Sequence, residues 1–186
     1  MADFSSVCLF CGSSEGSDPR HRETAARFGQ MTADAGLRLV YGGGGIGLMG
    51  AAARAAMGAG GEVIGVLPED LERREVGMHD ITELIIVDSM HARKKKMFDL
   101  SDAFVVLPGG VGTLDETVEM ITWAQLRIHT KPIVIVDGDG YWRKFIELLA
   151  HVTEQGFAPP ATAGMYTVAG DIDQVLPMIR QRLERL

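Results

Sequence analysis

The chain has 186 residues, 46% of them hydrophobic and 23% charged, with a formal net charge of −7. That length favours one domain with its own core, and the acidic balance argues against general nucleic-acid binding, which needs a basic face. No apolar run approaches the roughly 20 residues of a membrane span, and Met1-Ala2-Asp3-Phe4 lacks the basic start of a signal peptide, so a cytoplasmic protein without membrane or nucleic-acid partners is expected.

From the N-terminus, Ser6 to Cys11 reads as a strand and Pro19 to Ala35 as a helix. Leu37 to Tyr41 is the second strand, Ile46 to Ala59 the second helix and Glu62 to Leu67 the third strand. Pro68 to Thr82 is less regular. Glu83 to Val87 is extended and Met90 to Leu100 helical. Ala103 to Leu107 is a strand followed by a helix from Thr113 to Arg127. Pro132 to Asp137 and Tyr141 to Val152 repeat that pair, Tyr166 to Ala169 is short and extended, and Ile172 to Leu186 closes the chain as a helix. Such alternation builds right-handed βαβ units. The predicted fold is α/β, a doubly wound parallel sheet with helices on both faces, in one domain over 1–186. Ligands of such folds sit outside the carboxyl ends of the strands.

Cys8 and Cys11 form a C-x-x-C pair, but no second pair exists to complete a zinc site. Three residues apart on a strand, they point to opposite faces and are expected to act as small buried hydrophobes. His21, His79, His91, His129 and His151 show no metal-ligand spacing, so no metal is expected.

Two glycine-rich turns lead from strand to helix. The first, Gly42 to Gly50, holds G-x-G-x-x-G in two registers, Gly42/Gly44/Gly47 and Gly45/Gly47/Gly50. A dinucleotide site would also need an acidic residue about 20 positions on, where only Glu69 and Asp70 stand as loose candidates. The turn is either a nucleotide contact, with Gly44 at its centre, or a tight turn for close helix–strand packing.

The second, Pro108-Gly-Gly-Val-Gly-Thr-Leu-Asp-Glu116, brings bare backbone N–H groups to a helix N-terminus, an arrangement that binds phosphate. Gly110, Val111, Gly112 and Thr113 are the candidate phosphate contacts. Glu116 then stands beside the attached sugar as a candidate catalytic carboxylate. Thr113-Leu114-Asp115-Glu116 also fits a capping box, with Thr113 as N-cap and Glu116 at N3; the run of glycines favours the ligand reading. It is not a P-loop, because Gly-Lys-Ser/Thr is absent.

In Met90-His-Ala-Arg-Lys-Lys-Lys-Met97, Met90, Arg93, Met97 and Leu100 share one helical stripe. A guanidinium among apolar residues needs an anionic partner. For Arg93 that is a carboxylate such as Glu116, or a ligand, while Lys95 and Lys96 face solvent. Ser13 and Ser14 end the first strand on the ligand rim, where they either contact a ligand or cap the first helix. On the helix after Thr113, Leu114, Val118, Ile121 and Gln125 form a stripe, widened by Met120 and Trp123. So broad an apolar arc is buried on two sides or lies at an interface, and a homodimer using this helix is expected.

The paired motifs P-G-G-x-G-T-x-x-E and M-H-x-R-K resemble the LOG family, cytokinin-activating nucleoside 5′-monophosphate phosphoribohydrolases often labelled lysine decarboxylase-like. The resemblance runs from Cys11-Gly-Ser-Ser14 through Tyr41 to Gly50 and on to Trp123. It implies a Rossmann-like, usually dimeric protein that hydrolyses the N-glycosidic bond of an adenine-type nucleoside monophosphate to free base and ribose 5-phosphate. The family's catalytic pair falls on Arg93 and Glu116. Its nucleotide contacts fall on Glu75, Arg93, Lys94, the run Gly110 to Glu116, and Thr122. No cofactor is implied, and no residue pattern identifies the Schiff-base lysine of a decarboxylase. Two other readings stay open: a non-catalytic nucleotide carrier, and a phosphoribohydrolase for another nucleotide.

Overall fold

The computed structural model describes residues 4–75 and 77–185, with residues 73–75 described by their backbone alone. Strands β1 (Ser6–Phe10), β2 (Arg38–Tyr41), β3 (Val63–Pro68), β4 (Glu83–Val87), β5 (Ala103–Val106), β6 (Ile133–Val136) and β7 (Thr167–Ala169) form one sheet. Every pairing is parallel and the order is β4-β3-β2-β1-β5-β6-β7. Register places Leu9 between Tyr41 and Val105. The helices are α1 (Pro19–Asp34), α2 (Gly47–Gly58), α3 (Glu69–Glu75), α4 (Met90–Asp99), α5 (Val111–Gln125), α6 (Arg143–Glu154) and α7 (Val175–Leu183).

The central strands β1, β5 and β6 are buried along their whole length, as apolar runs covered on both faces should be. One core joins Leu9, Leu39 and Tyr41 to Phe28 of α1, Ala52 of α2 and Ile179 of α7. The other joins Phe10 and Phe104 to Met97 of α4, Met120 of α5 and Trp142. Each large side chain buried this way stabilises the fold by about 1.5–3 kcal/mol. Cys11 packs in the first core and Cys8 in the second, both as free thiols. Burial pushes both thiols well up, so they stay protonated and inert. Asp102 ties the start of β1 to that of β5, accepting the amides of Ser5 and Ser6 at 2.8 and 3.0 Å and both hydroxyls. Burial works to raise its carboxyl, but these hydrogen bonds outweigh it and hold it below the usual range.

Strand order runs outward from β1 to β4 on one side and from β5 to β7 on the other. The order reverses between β1 and β5, and the carboxyl-end rim at such a switch point is where open α/β sheets bind ligands.

Several boundaries differ from the sequence expectation. The irregular segment contains α3, whose first turn carries Glu69, Asp70 and Glu72 against the positive helix end. Helix α6 starts at Arg143 rather than Tyr141, because Asp139 and Asp137 accept the amides of Tyr141 and Trp142 and hold both in a turn. The closing helix is split by a 3-10 turn at Ile172–Gln174, where Asp171 accepts the amide of Asp173.

Candidate active site

Gly12, just beyond β1, links both glycine turns. Its N–H donates to Pro108 O at 3.0 Å, and its carbonyl accepts Leu48 N–H at 3.0 Å and Met49 N–H at 3.3 Å. The latter bonds occupy leading amides of α2. Gly47, which opens that helix at φ +61°, lies so close to Ser13 that a Cβ would stand 2.3 Å from the Ser13 carbonyl carbon. Gly44 is buried and bridges Gly77. The first turn thus serves close packing, and its helix end is closed by the chain itself.

The second turn differs. Gly110 is extended at φ −95°, ψ −156° and acts as N-cap of α5 without any side-chain cap bond. The capping-box alternative is thereby corrected. The helix begins at Val111, so Thr113 lies at its third position and Glu116 stands beyond the reach of a cap. Val111 is 83% exposed, and a Cβ on Gly110 or Gly112 would meet open space. Gly109 is held tightly: a Cβ there would fall 2.1 Å from Thr113 Oγ1 and 2.9 Å from Gly12 N. Beside the turn lies a cavity of about 150 Å³, lined by Ser14, His21, Leu48, Gly109, Gly110 and Tyr141 among others.

Arg93 reaches across from α4. Its Nε donates to Val66 O at 3.1 Å and its Nη2 to Gly42 O at 2.9 Å, carbonyls within β3 and just past β2. Gly42 has to be glycine, since a Cβ would overlap Nη2. The remaining Nη1 lies 4.0 Å from Glu116 Oε1, with both side chains at most one-tenth exposed. Cβ atoms on a helix lean toward its N-terminus, so Glu116 leans back toward Gly110–Thr113. The arrangement brings a helix end without a side-chain cap, a buried carboxylate and a fixed cation together at the start of α5.

Lys94 points the other way, with Nζ 3.1 Å from Asp115 and 3.0 Å from Glu119. Burial alone would lower its pKa, but the two carboxylates outweigh that and hold it raised and charged. It clamps α4 to α5 and so fixes Arg93 against Glu116. Lys95 and Lys96 are exposed. Ser13 and Ser14 sit on the exposed rim, and Asp18, not a serine, caps α1 by accepting Arg20 N–H at 2.9 Å. Thr122 is not gathered with the others: it is exposed on α5, six residues past Glu116, with its hydroxyl donating to Val118 O at 2.8 Å. Glu75 ends α3, and its side chain lies outside the described residues.

Sequence reasoning missed Gly12, His21, Asp139 and Tyr141. The Asp-Gly-Asp-Gly run after β6 lies on the same strand-end rim, and that was the available signal. Asp18, His21 and Asp139 converge to within 4.8 Å. Among the described residues Asp18 pairs with Arg20, and Asp139 Oδ2 lies 2.7 Å from His21 Nε2.

Residues 49–179 match the family model described as "Possible lysine decarboxylase". A relative from Oryza sativa subsp. japonica, named probable cytokinin riboside 5′-monophosphate phosphoribohydrolase, is 46% identical over 159 residues. That alignment covers 85% of this chain but 65% of the relative, just under two thirds of its length. The cytokinin riboside 5′-monophosphate phosphoribohydrolase of Rhodococcoides fascians is 42% identical over 176 residues, covering 94% of this chain and 89% of that one. Among solved structures, the Moco carrier protein of Chlamydomonas reinhardtii superposes with a TM-score of 0.74 at 22% identity, covering 99% of this chain and 100% of that one. At that identity the likeness shows the fold alone.

Proposed function

The chain belongs to the LOG family, and from that premise we propose that it hydrolyses the N-glycosidic bond of adenosine-type 5′-monophosphates, N6-modified ones included. The products are free base, a cytokinin where the substrate is so modified, and ribose 5-phosphate. One observation carries this reading: a buried Arg93–Glu116 pair five residues into a helix whose N-terminus has no side-chain cap.

The 5′-phosphate takes the amides at the start of α5, those of Gly110, Val111, Gly112 and Thr113, where backbone N–H groups and the helix dipole favour an anion. Glu116, about 7.5 Å further along the helix axis, meets the ribose. Breaking the glycosidic bond develops positive charge on the sugar. The carboxylate stabilises that charge and orients the attacking water. Negative charge develops on the departing base, and Arg93 meets it as a fixed cation; the water's hydroxyl goes to the ribose carbon, and the proton it gives up, taken by Glu116, passes to the base. A guanidinium stays protonated at any working pH, so Arg93 positions and stabilises rather than donating a proton. Holding the phosphate fixes the ribose at the carboxylate and lowers the entropic part of the barrier.

The description "lysine decarboxylase" does not fit these residues. A pyridoxal site needs a lysine that gives up its proton to form a Schiff base. Lys94, next to Arg93, is held charged by Asp115 and Glu119.

The same reading includes a homodimer, but not through the whole stripe expected on α5, because Met120 and Ile121 lie in this chain's own core. Helix α6 buries no residue, and Phe145 and Leu148 line an apolar groove with Val111, Leu114 and Val118 of α5. A second copy of the chain covers this face. Light scattering is expected to give twice the 20.1 kDa chain mass, and a monomeric mass at working concentration contradicts it.

The test of the activity is incubation of the pure protein with AMP and with N6-isopentenyladenosine monophosphate, reading free base by chromatography. Wild-type protein releases base and Glu116→Gln does not. Tight nucleotide binding without base release would establish a carrier instead.

A further inference from the structure

The Tyr141 hydroxyl donates to the carbonyl of Gly109 at 2.6 Å. That carbonyl belongs to the Gly109–Gly110 peptide, at the entrance to α5. With glycine on both sides, neither Cβ opposes rotation of this peptide plane. In a trans peptide the C=O and the following N–H point in opposite directions. Anchoring Gly109 O on Tyr141 therefore turns Gly110 N–H away from Tyr141. Were the plane to flip, a carbonyl oxygen would replace that donor at the helix end, and an oxygen repels an anion.

We propose that Tyr141 is a positioning residue that locks the Gly109–Gly110 peptide with its N–H turned toward the phosphate. The inference rests on the phosphate reading of the α5 turn and adds what keeps that turn competent to bind.

The tyrosine is itself braced. Its backbone N–H donates to Asp139 Oδ1 at 3.0 Å, and Asp139 Oδ2 lies 2.7 Å from His21 Nε2. Its ring meets His21 and Trp142 edge-on, at centroid distances of 5.5 and 4.9 Å. Burial works to raise the Asp139 carboxyl, but the Tyr141 amide and His21 outweigh that and keep it an ionised acceptor. The lock thus spans three parts of the chain: the loop after β6, the first turn of α1 and the glycine turn after β5. All three lie at the carboxyl-end rim of neighbouring strands β1, β5 and β6.

Tyr141→Phe removes only the hydroxyl and keeps the ring contacts. Calorimetry with ribose 5-phosphate, which the enzyme cannot hydrolyse, reads the lock directly. Loss of one such bond is expected to weaken binding by about three- to tenfold. The KM for the nucleotide rises by the same factor and kcat stays within about twofold of wild type. Asp139→Asn leaves the hydroxyl but loosens its support, and gives a smaller loss in the same direction. A merely structural role would lower the melting temperature and leave KM unchanged. Equal binding of ribose 5-phosphate by wild type and Tyr141→Phe overturns the lock alone. Wild-type protein that binds no ribose 5-phosphate overturns the phosphate site, and the lock with it.

Discussion

The two glycine turns of this protein look alike in sequence and do opposite work. Both follow a strand that flanks β1, both open a helix, and both touch Gly12. At Gly42 to Gly50 the amides of Leu48 and Met49 are taken by the Gly12 carbonyl, and Ser13 presses against Gly47. At Gly109 to Thr113 the contact with Gly12 runs through Pro108 instead, and the helix start has neither a side-chain cap nor crowding at Gly110 and Gly112. Glycine lets backbones approach in the first turn and at Gly109 of the second, whereas Gly110 and Gly112 leave open space, which the proposed phosphate would use. A glycine-rich phosphate signature therefore depends on whether another segment has already claimed the helix end.

Arg93 is where the two turns meet, bonded to Gly42 O on one side and facing Glu116 on the other. Its removal gives the largest expected effect. Arg93→Ala leaves a buried carboxylate without its cation and two carbonyls without donors, and should cost about 3–5 kcal/mol. Urea unfolding measures this, and a cost below about 1 kcal/mol would separate the pair from the fold. Gly47→Ala comes next. It combines a left-handed backbone with a clash against Ser13, and is expected to cost about 2–3 kcal/mol while ribose 5-phosphate affinity in the folded protein stays near wild type. Gly112→Ala is the converse and the mildest for the fold. A methyl there meets open space, so stability should hold or rise by up to about 1 kcal/mol, while ribose 5-phosphate binding falls roughly tenfold, or about 1.4 kcal/mol. If Gly47→Ala weakens the ligand and Gly112→Ala does not, the roles of the two turns are reversed.

The alternation of strands and helices was legible because fully buried parallel strands read as apolar runs and the helices carry their own periodicity. Arg93 and Glu116 were legible for a related reason: a cation on an apolar stripe and a carboxylate just past a glycine turn are both local anomalies. The start of α5 was not. Thr113 to Glu116 satisfies the capping-box pattern, but the extended backbone of Gly110 starts the helix earlier. The partners of Lys94 were hidden as well, since a basic run looks solvated until α5 brings Asp115 and Glu119 against it. Contacts such as Tyr141 to Gly109, or Gly12 to Leu48, join segments far apart in the chain. Their geometry is set by sheet order, and no periodicity encodes it.

The most direct test of the account compares wild type with Glu116→Gln on N6-isopentenyladenosine monophosphate, with ribose 5-phosphate binding measured on both. Removing a carboxylate that acts in the transition state is expected to lower kcat at least about a hundredfold, with ribose 5-phosphate affinity within about threefold of wild type, because in this reading the phosphate is held by backbone amides and not by the carboxylate. Base release by Glu116→Gln at the wild-type rate would contradict the role assigned to this carboxylate and to the crevice built around it.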